Sequence, residues 1–304
     1  MDIKTPLIWK NWTFIKWDDT QDHHLSHTLH YWSWVFEWIR FYNTTKWPKI
    51  FKLEAHIDRL FYSASVFQMD TEFSKEEIMQ ACIQTVAKSW ETEWYIRPII
   101  YYGTGKMWLN PTGAKVETVI SVWKFGKYLG DKAIDVKIAK TRRVDPRTTD
   151  MNAKICGNYS NSILVSLEIK KDGFDEWLLL DTNDFIAEWP GENIFFIQGN
   201  SVYTPELWTI LPGITRATII DLFQDKLDIK VIERKISPEE LWNFNEAFFV
   251  WTAAEVTPIA SITNEWWTKF IYNSGNASST SKKISDFYHN IVTWDDENYI
   301  NHLS

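Results

Sequence analysis

The sequence is short of cysteine, of excess positive charge and, above all, of glycine. Its two cysteines, Cys82 and Cys156, are too few for a disulfide framework and indicate a reducing compartment. The net charge of −8 argues against a nucleic-acid-binding surface. There is no apolar run of about 18 residues to cross a membrane, and the N-terminal MDIKTPLIWKNW lacks the apolar core of a signal peptide. We therefore expect a soluble cytoplasmic protein that binds neither nucleic acid nor membrane.

The shortage of glycine coincides with an excess of tryptophan. The chain has 11 glycines and 19 tryptophans, although glycine usually makes up about 7% of a protein. Asn11-Trp12 stands between two apolar stretches, where a hairpin favours Asn-Gly, and Trp47-Pro48 marks another predicted turn. Residues 31–40, YWSWVFEWIR, hold three indoles. Tryptophan thus occupies positions where the backbone freedom of glycine is expected.

Periodicity and turn signals predict the elements of the first half of the chain. Apolar spacing predicts a helix over about 53–67, and the capping-box pattern from Ser74 to Glu77 opens a second helix that ends near Ser89. Strands are predicted in the β-rich segments 7–17, 95–102 and 116–123, and residues 29–42 are predicted to form a strand or a strand–helix junction. The length favours two domains: an N-terminal α/β domain over 1–125, a linker over 126–133 and a C-terminal domain over 134–304.

The second half alternates short strands and helices. Helices are predicted from Tyr159 to about Lys171, with Gly173 near the C-cap, and from the Gly213 region to about Gln224. Short strands are predicted at 134–139, 177–180, 185–188, 194–197, 230–232 and 247–251. An amphipathic helix follows at the C-terminus, with its apolar face built from Ile284, Phe287, Tyr288, Ile291 and Val292.

The segment Met151–Ser160, MNAKICGNYS, carries a lysine between small and apolar neighbours. Desolvation of Lys154 would favour its neutral amine and free it as a nucleophile. Tyr159 follows five residues later and opens an apolar run. Taken without further context, Lys154 is better explained as a surface lysine in a loop before a helix, because lysines are seldom buried.

Other residues also have a structural and a functional interpretation. Gly213 directly precedes a predicted helix, whose first N–H groups and dipole favour a phosphate, with Ile214 and Thr215 as donors. By themselves, Glu188 is better explained as an exposed strand-end carboxylate and Arg59 as a helix-surface arginine.

The residues of several motifs resemble those of one protein family. Ala-Lys-x-x-Gly-Asn-Tyr-x-x-Ser around Lys154 is similar to the cofactor-lysine segment of the fold-type IV, pyridoxal-phosphate-dependent class IV aminotransferases, and most of all to the branched-chain amino acid aminotransferases. Residues 95–98 and 107–111 resemble these enzymes more than the D-amino acid transaminases or aminodeoxychorismate lyases of the same fold. The resemblance runs from Ile8 to about Tyr299. It implies a two-domain α+β/α/β fold of the D-amino acid aminotransferase-like type, with a pseudo-barrel in the C-terminal domain.

The resemblance also implies an activity and a cofactor site. The activity is reversible transfer of the amino group between leucine, isoleucine or valine and 2-oxoglutarate through pyridoxal 5'-phosphate. Lys154 would hold the cofactor aldehyde and move the proton, Tyr159 would bond the phenolate oxygen, and Glu188 would pair with the pyridine nitrogen. The remaining cofactor contacts, most of them to the phosphate, would come from Arg59, Leu211, Ile214, Thr215 and Thr252.

The substrate residues follow from the same resemblance. Arg97 could pair with the distal carboxylate of glutamate, and the amides of Ala253 and Ala254 would meet the substrate carboxylate. The other expected substrate residues are Tyr31, Phe36, Trp38, Met107, Leu109 and Tyr128. Tyr31 and Leu109 would reach the neighbouring subunit of a homodimer or a trimer of dimers. No metal is expected, because the histidines match a family segment without one: His23, His24, His27 and His30.

The departures from the family are almost all of one kind. Tryptophan replaces family glycine at Trp12, Trp32, Trp34, Trp38, Trp47, Trp108, Trp189 and Trp251. Even smaller overpacking costs about 1–3 kcal/mol per site, so eight replacements would exceed a typical stability of about 5–15 kcal/mol. Our hypothesis is that UGA codons, which some bacterial lineages read as glycine, were read as tryptophan. Genuine tryptophans would instead indicate an inactive homologue.

Overall fold

The structure is a computed structural model, which describes residues 5–44, 47–124, 132–188, 191–272 and 279–293. The chain divides into two compact units. The first comprises Met1–Gly126, Ala153–Gly157 and Ile291–Ser304, and the second comprises Lys127–Asn152 and Asn158–Asn290. Within the described residues, no helix is long and apolar enough to cross a membrane. The predicted linker over 126–133 lies outside the described residues except for its last two.

The first unit is built on an antiparallel sheet with the strand order β2-β1-β7-β6-β4-β5, in which β3 also pairs with β6. Its strands are β1 (Leu7–Lys10), β2 (Thr13–Lys16), β3 (Trp34–Phe36), β4 (Ile39–Tyr42), β5 (Lys49–Ile50), β6 (Trp94–Tyr102) and β7 (Val116–Trp123). Its helices are α1 (His27–Tyr31), α2 (Leu53–Val66) and α3 (Lys75–Ser89).

The helices α2 and α3 form where the apolar spacing predicted them. Leu53, Ile57 and Leu60 are buried along one face of α2 and join the same core as β3 and β6. The capping box of α3 is present, since Ser74 and Glu77 exchange hydrogen bonds between side chain and backbone. A cap of this kind contributes about 0.5–2 kcal/mol. The core fixes α2 against the strands that follow α1.

The second unit contains a mixed sheet with the order β12-β11-β10-β13-β14-β8-β9, and β15 pairs with β14. Its strands are β8 (Ile134–Ile138), β9 (Glu176–Leu178), β10 (Asn193–Gln198), β11 (Ser201–Thr204), β12 (Val231–Glu233), β13 (Glu246–Trp251), β14 (Glu255–Thr263) and β15 (Lys269–Ile271). Its helices are α4 (Tyr159–Asp172), α5 (Ile214–Leu227) and most of α6 (Ser279–Thr293).

Some local predictions fail in this unit. The predicted strand over 185–188 is wrong, because only Ile186 pairs, in an isolated bridge with Leu180. The strands β11, β14 and β15 were not predicted. In β14 the sequence signal is weakened by Pro258, which removes a backbone donor. Tertiary pairing on both sides of β14, with β13 and β8, overrides that weak signal.

Among the residues that the structure describes, four tryptophans have the left-handed backbone that normally calls for glycine. Their φ angles are 75° at Trp12, 54° at Trp32, 62° at Trp90 and 64° at Trp267. Trp32 and Trp90 are the C-caps of α1 and α3, where glycine is preferred. Trp90 is 89% exposed, so burial of its ring does not offset a strain of about 1–2 kcal/mol. Trp12 and Trp32 were among the eight suspect positions, whereas Trp90 and Trp267 are additional ones. The suspect Trp189 lies outside the described residues.

Candidate active site

In the first unit, Lys154 lies beside β3. Ile155 forms an antiparallel bridge with Val35, and the Phe36 N–H donates to the Lys154 carbonyl over 3.3 Å. The Lys154 N–H donates to Ser63 Oγ over 2.8 Å. Lys154 is only 7% exposed, and its ammonium lies 5.2 Å from the centre of the Phe36 ring. It is therefore a buried lysine with a fixed main chain, and not the surface lysine that residue statistics favour.

Glu37 is the centre of a buried charged cluster that includes two residues of α2. Arg59 Nε donates to Glu37 Oε1 over 2.6 Å, and Arg59 Nη2 donates to Oε2 over 2.9 Å. His56 Nδ1 lies 2.8 Å from Oε2. Burial by itself would raise the pKa of the Glu37 carboxyl, but the charge and hydrogen bonds of Arg59, aided by His56, hold that pKa well below its usual range. Glu37 is thus an anion whose pairing fixes the direction of the Arg59 guanidinium.

The environment of His56 disfavours protonation of its ring. Burial lowers the pKa of His56, and the nearby positive charges of Arg59 and Lys154 lower it further, against the opposing effect of Glu37. Sequence reasoning did not single out Glu37, His56 or Ser63. The one available signal is the spacing of His56, Arg59 and Ser63, which places them along one side of α2.

Arg97 is surrounded by aromatic rings. Its guanidinium carbon lies 4.8 Å from the centre of the Phe36 ring, 4.3 Å from that of Trp38 and 5.1 Å from that of Trp123. The Trp38 ring also contacts the Tyr95 ring edge-on at 5.6 Å. The structure therefore brings together three of the expected substrate residues, Phe36, Trp38 and Arg97. It also places the Trp38 indole against the guanidinium that was expected to pair with glutamate.

The segment 107–109 is held by the helix α1. His27 Nε2 donates to the Trp108 carbonyl over 2.8 Å, and the Tyr31 hydroxyl donates to the Met107 carbonyl over 3.3 Å. The side chain of Leu109 is 70% exposed. The predicted substrate residues Tyr31, Met107 and Leu109 therefore belong to one exposed region of this unit.

The histidines near α1 make hydrogen bonds with the chain itself. His30 Nε2 donates to the His24 carbonyl over 2.9 Å, and the Leu25 N–H donates to His23 Nδ1 over 3.0 Å. In the described part of the chain there is no group of three or more histidine, cysteine or acidic side chains that could hold a metal ion. These histidines shape the loop that leads into α1.

In the second unit, the Glu188 carboxylate is surrounded by hydrogen-bond donors. The Leu211 N–H donates to Glu188 Oε1 over 2.9 Å, and Asn193 Nδ2 donates to Oε2 over 2.8 Å. The Arg143 guanidinium lies 2.5 Å from Oε1. Glu188 is only 2% exposed, so it is not an exposed strand-end carboxylate. Sequence reasoning missed Arg143 and Asn193, which lie 45 and 5 positions from Glu188 along the chain.

The loop before α5 supplies an anion site. Gly213 is the N-cap of α5 and has no side chain to cap the helix, so the first N–H groups of α5 are available to a ligand. A Cβ atom at Gly213 would clash with Asn193 Oδ1. Asn193 Nδ2 also donates to the Leu211 carbonyl over 3.1 Å. The same asparagine thus shapes both the Glu188 pocket and the start of α5, where Ile214 and Thr215 follow.

The other predicted residues of this unit lie at the ends of elements. Tyr159 is the first residue of α4. Thr252, Ala253 and Ala254 form the turn between β13 and β14, which the pairing of Trp251 with Glu255 closes. Tyr128 lies outside the described residues.

The residues present fit pyridoxal phosphate. The first unit contains a buried lysine and an oriented arginine, which suit an aldehyde and an anion. The second unit contains a buried carboxylate, held by Arg143 and two further donors, and a helix N-terminus at which a Cβ atom on Gly213 would clash with the present position of Asn193. These groups can hold a protonated ring nitrogen and a phosphate.

Comparisons with known proteins find relatives along most of the chain. The family model of amino-transferase class IV matches residues 34–262. The chain is 37% identical over 291 residues to the branched-chain-amino-acid aminotransferase of Pseudomonas aeruginosa, covering 94% of this chain and 93% of that protein. It is 35% identical over 300 residues to the enzyme of the same name from Escherichia coli K12, covering 97% and 95%. The crystal structure of the branched-chain amino acid aminotransferase from Thermobaculum terrenum, in its PLP-bound holo-form, matches with a TM-score of 0.91 and 30% identity, over 100% of this chain and 99% of that chain. The predicted fold is confirmed.

Proposed function

The chain belongs to the class IV aminotransferases, and from this premise we propose that it is a branched-chain amino acid aminotransferase. It transfers the amino group reversibly between leucine, isoleucine or valine and 2-oxoglutarate, and its cofactor is pyridoxal 5'-phosphate. The observation that carries the proposal is the buried Lys154 in a chain that matches these relatives over almost their full length.

Lys154 is the proposed catalytic residue. Its amine would hold the cofactor aldehyde and, when free, would carry the proton that moves during amino transfer. Pyridoxal phosphate supplies the electron sink that stabilises the carbanion. Burial of Lys154 beside Phe36 supports this role, because it shields the amine from bulk water.

The other cofactor contacts are assigned by residue. Glu188 would hold a proton on the pyridine nitrogen, and its orientation by Asn193, Leu211 and Arg143 supports that role. Tyr159 would bond the phenolate oxygen. Ile214, Thr215, Thr252 and Arg59 would hold the phosphate. Because Glu37 neutralises Arg59, the arginine contributes direction rather than net charge.

The substrate is bound by apolar and polar groups in separate roles. The amides of Ala253 and Ala254 bind its carboxylate, and Arg97 binds the distal carboxylate of glutamate. Apolar walls that suit leucine, isoleucine and valine come from Tyr31, Phe36, Met107, Leu109 and Tyr128. Trp38 next to Arg97 opposes this assignment.

The protein is proposed to be a homodimer or a trimer of dimers. Large apolar side chains are exposed in each unit: Leu29, Trp108 and Leu109 in the first, and Ile163, Leu164 and Leu167 along α4 in the second. Exposed apolar groups of this kind are typical of interfaces. Light scattering should give at least twice the mass of the chain, and a fully active monomer would contradict the proposal.

We also propose a cytoplasmic location and the domain division 1–125 and 134–304. Both cysteines are free thiols in the structure, Cys82 buried and Cys156 half-buried, which suits a reducing compartment.

Substrate profiling tests the function. Protein reconstituted with pyridoxal phosphate should transfer the amino group from L-leucine to 2-oxoglutarate. It should not act on D-alanine, and it should not release pyruvate from aminodeoxychorismate. The same assays on a variant with glycine at the suspect positions control for blockage by tryptophan. The proposal would be overturned if neither protein transferred the amino group from L-leucine while either of them acted on D-alanine or as a lyase.

A further inference from the structure

Ser63 links the lysine segment to α2. Its hydroxyl donates to the Arg59 carbonyl one helical turn earlier, over 2.7 Å. The same oxygen accepts the Lys154 N–H over 2.8 Å, across 91 positions of sequence. Ser63 is completely buried, so neither bond competes with bulk water. The hydroxyl therefore connects the backbone of Arg59 directly to the backbone of Lys154.

The donor and acceptor roles at Ser63 are mutually dependent. A helical serine commonly donates to the carbonyl four residues earlier, and this bond turns the oxygen lone pairs away from the helix. Those lone pairs meet the Lys154 N–H. Hydrogen bonds in such a chain polarise and strengthen one another in a buried site.

Both peptide groups that flank the Lys154 Cα are fixed. Ser63 holds its N–H, and the Phe36 N–H donates to its carbonyl over 3.3 Å. The amine sits at the end of a flexible four-carbon chain, so its reach depends on where the Cα lies. A reactive group must be held within about 0.5 Å of its productive position by such supporting contacts.

We propose that Ser63 is a positioning residue for Lys154, holding the lysine main chain against α2 so that the amine reaches the aldehyde of a cofactor whose phosphate Arg59 binds. This inference rests on the proposed function. It predicts that loss of the Ser63 hydroxyl impairs covalent attachment of the aldehyde more than non-covalent binding of the phosphate and ring.

The first experiment measures the contact in the apoprotein. Hydrogen–deuterium exchange is followed in peptides that contain Lys154 for the parent protein, Ser63→Ala, Ser63→Cys and the control Ser65→Ala. Ser65 also donates to a helix carbonyl, that of Tyr62, over 2.6 Å, but on an exposed side of α2. We expect both Ser63 variants to exchange about threefold to tenfold faster at Lys154, and Ser65→Ala to match the parent.

The second experiment separates positioning from general damage. Binding of pyridoxal phosphate is compared with binding of 4'-deoxypyridoxine 5'-phosphate, which has the phosphate and ring but no aldehyde. Ser63→Ala should raise the dissociation constant of pyridoxal phosphate roughly tenfold and leave that of the deoxy analogue unchanged. Ser63→Cys nearly preserves the side-chain volume, but its thiol forms only weak hydrogen bonds. It should therefore show the same selective loss of pyridoxal phosphate binding as Ser63→Ala, even if the alanine variant disturbs packing.

The outcomes distinguish the two proposals. Equal weakening of both ligands, or unchanged binding of both, would overturn the positioning role. Rapid exchange of the Lys154 amide in the parent apoprotein would overturn it as well, whether or not the variants fold. A parent protein that binds the deoxy analogue but never acquires a visible absorption band with pyridoxal phosphate would instead overturn the proposed function.

Discussion

The Arg97 guanidinium carbon lies 4.3 Å from the centre of the Trp38 indole. A stacked pair of this kind contributes about 0.5–2 kcal/mol when partly desolvated. A carboxylate pairs with the N–H groups at the edge of a guanidinium, so the indole does not take those donors, but it fills the space beside the Arg97 guanidinium. The glycine that the family resemblance implies at position 38 would leave that space open to a substrate.

Replacement of Trp38 by glycine should raise activity. We compare two variants, each with glycine at all of the suspect positions except one. The first retains Trp38, and the second, as the control, retains Trp47, an exposed tryptophan in a turn. Both should bind pyridoxal phosphate, but the protein with Trp38 should have a kcat/KM for leucine lower by about a hundredfold or more, because small displacements of a substrate are costly. Steady-state kinetics measures the difference. Equal activity of the two proteins would show that Trp38 does not face the substrate.

Trp90→Gly should stabilise the protein by about 1–2 kcal/mol, because it relieves a left-handed backbone without loss of buried area. Denaturant unfolding measures the gain. Trp266→Gly is the matched control, since Trp266 is similarly exposed at 82% and is not left-handed. There glycine should be neutral or destabilising, through the extra freedom of the unfolded chain. A similar effect at both positions would contradict the strain argument.

Protein isolated from the source organism should contain glycine where this sequence has the suspect tryptophans. The left-handed φ angles at Trp12, Trp32, Trp90 and Trp267 support the codon hypothesis, because tryptophan gains nothing from that backbone region and glycine adopts it freely. Peptide mass spectrometry reads the residues directly. Tryptophan at positions 32, 34 and 38 of the natural protein would reject the hypothesis.

Lys154→Ala should abolish both covalent cofactor binding and transamination. The parent protein with pyridoxal phosphate should absorb visible light, and the variant should lose that band because no amine replaces Lys154. Lys140→Ala, at an exposed lysine, should retain both properties. A lysine adduct that borohydride fixes in the Lys154 variant would place the cofactor elsewhere.

Glu37 should make stability sensitive to acid. Its folded-state pKa lies well below its ordinary value, so its contribution is fully present above the unfolded pKa of about 4.3 and is lost as pH falls towards the folded value. In Glu37→Gln the free energy of unfolding should be lower at neutral pH but should decline less between about pH 5 and pH 2. Denaturant unfolding at several pH values in that range measures how the free energy of unfolding changes with pH. Glu54→Gln, at an exposed carboxylate on α2, is the control: its free energy of unfolding should change with pH as in the parent protein. The same pH dependence in Glu37→Gln would refute the argument.

Local patterns determined much of this protein. The spacing of Leu53, Ile57 and Leu60 specified α2, and the Ser74–Glu77 pattern specified the start of α3, since both signals lie within a few residues. The motif around Lys154 indicated the cofactor through its resemblance to the class IV aminotransferases. Gly213 indicated a phosphate from local chemistry, because a helix begins beside it.

Only the tertiary structure decided how these residues are supported. Lys154 is held by Ser63, and Arg59 by Glu37, through contacts that span 91 and 22 positions of sequence. Glu188 and Gly213 likewise share Asn193. Such partners meet because packing of the apolar faces brings distant segments together. Glu37 and Glu188 are thereby buried and hydrogen-bonded. The order of charged residues along the chain does not reveal this, because desolvation of a carboxylate arises only in the folded core.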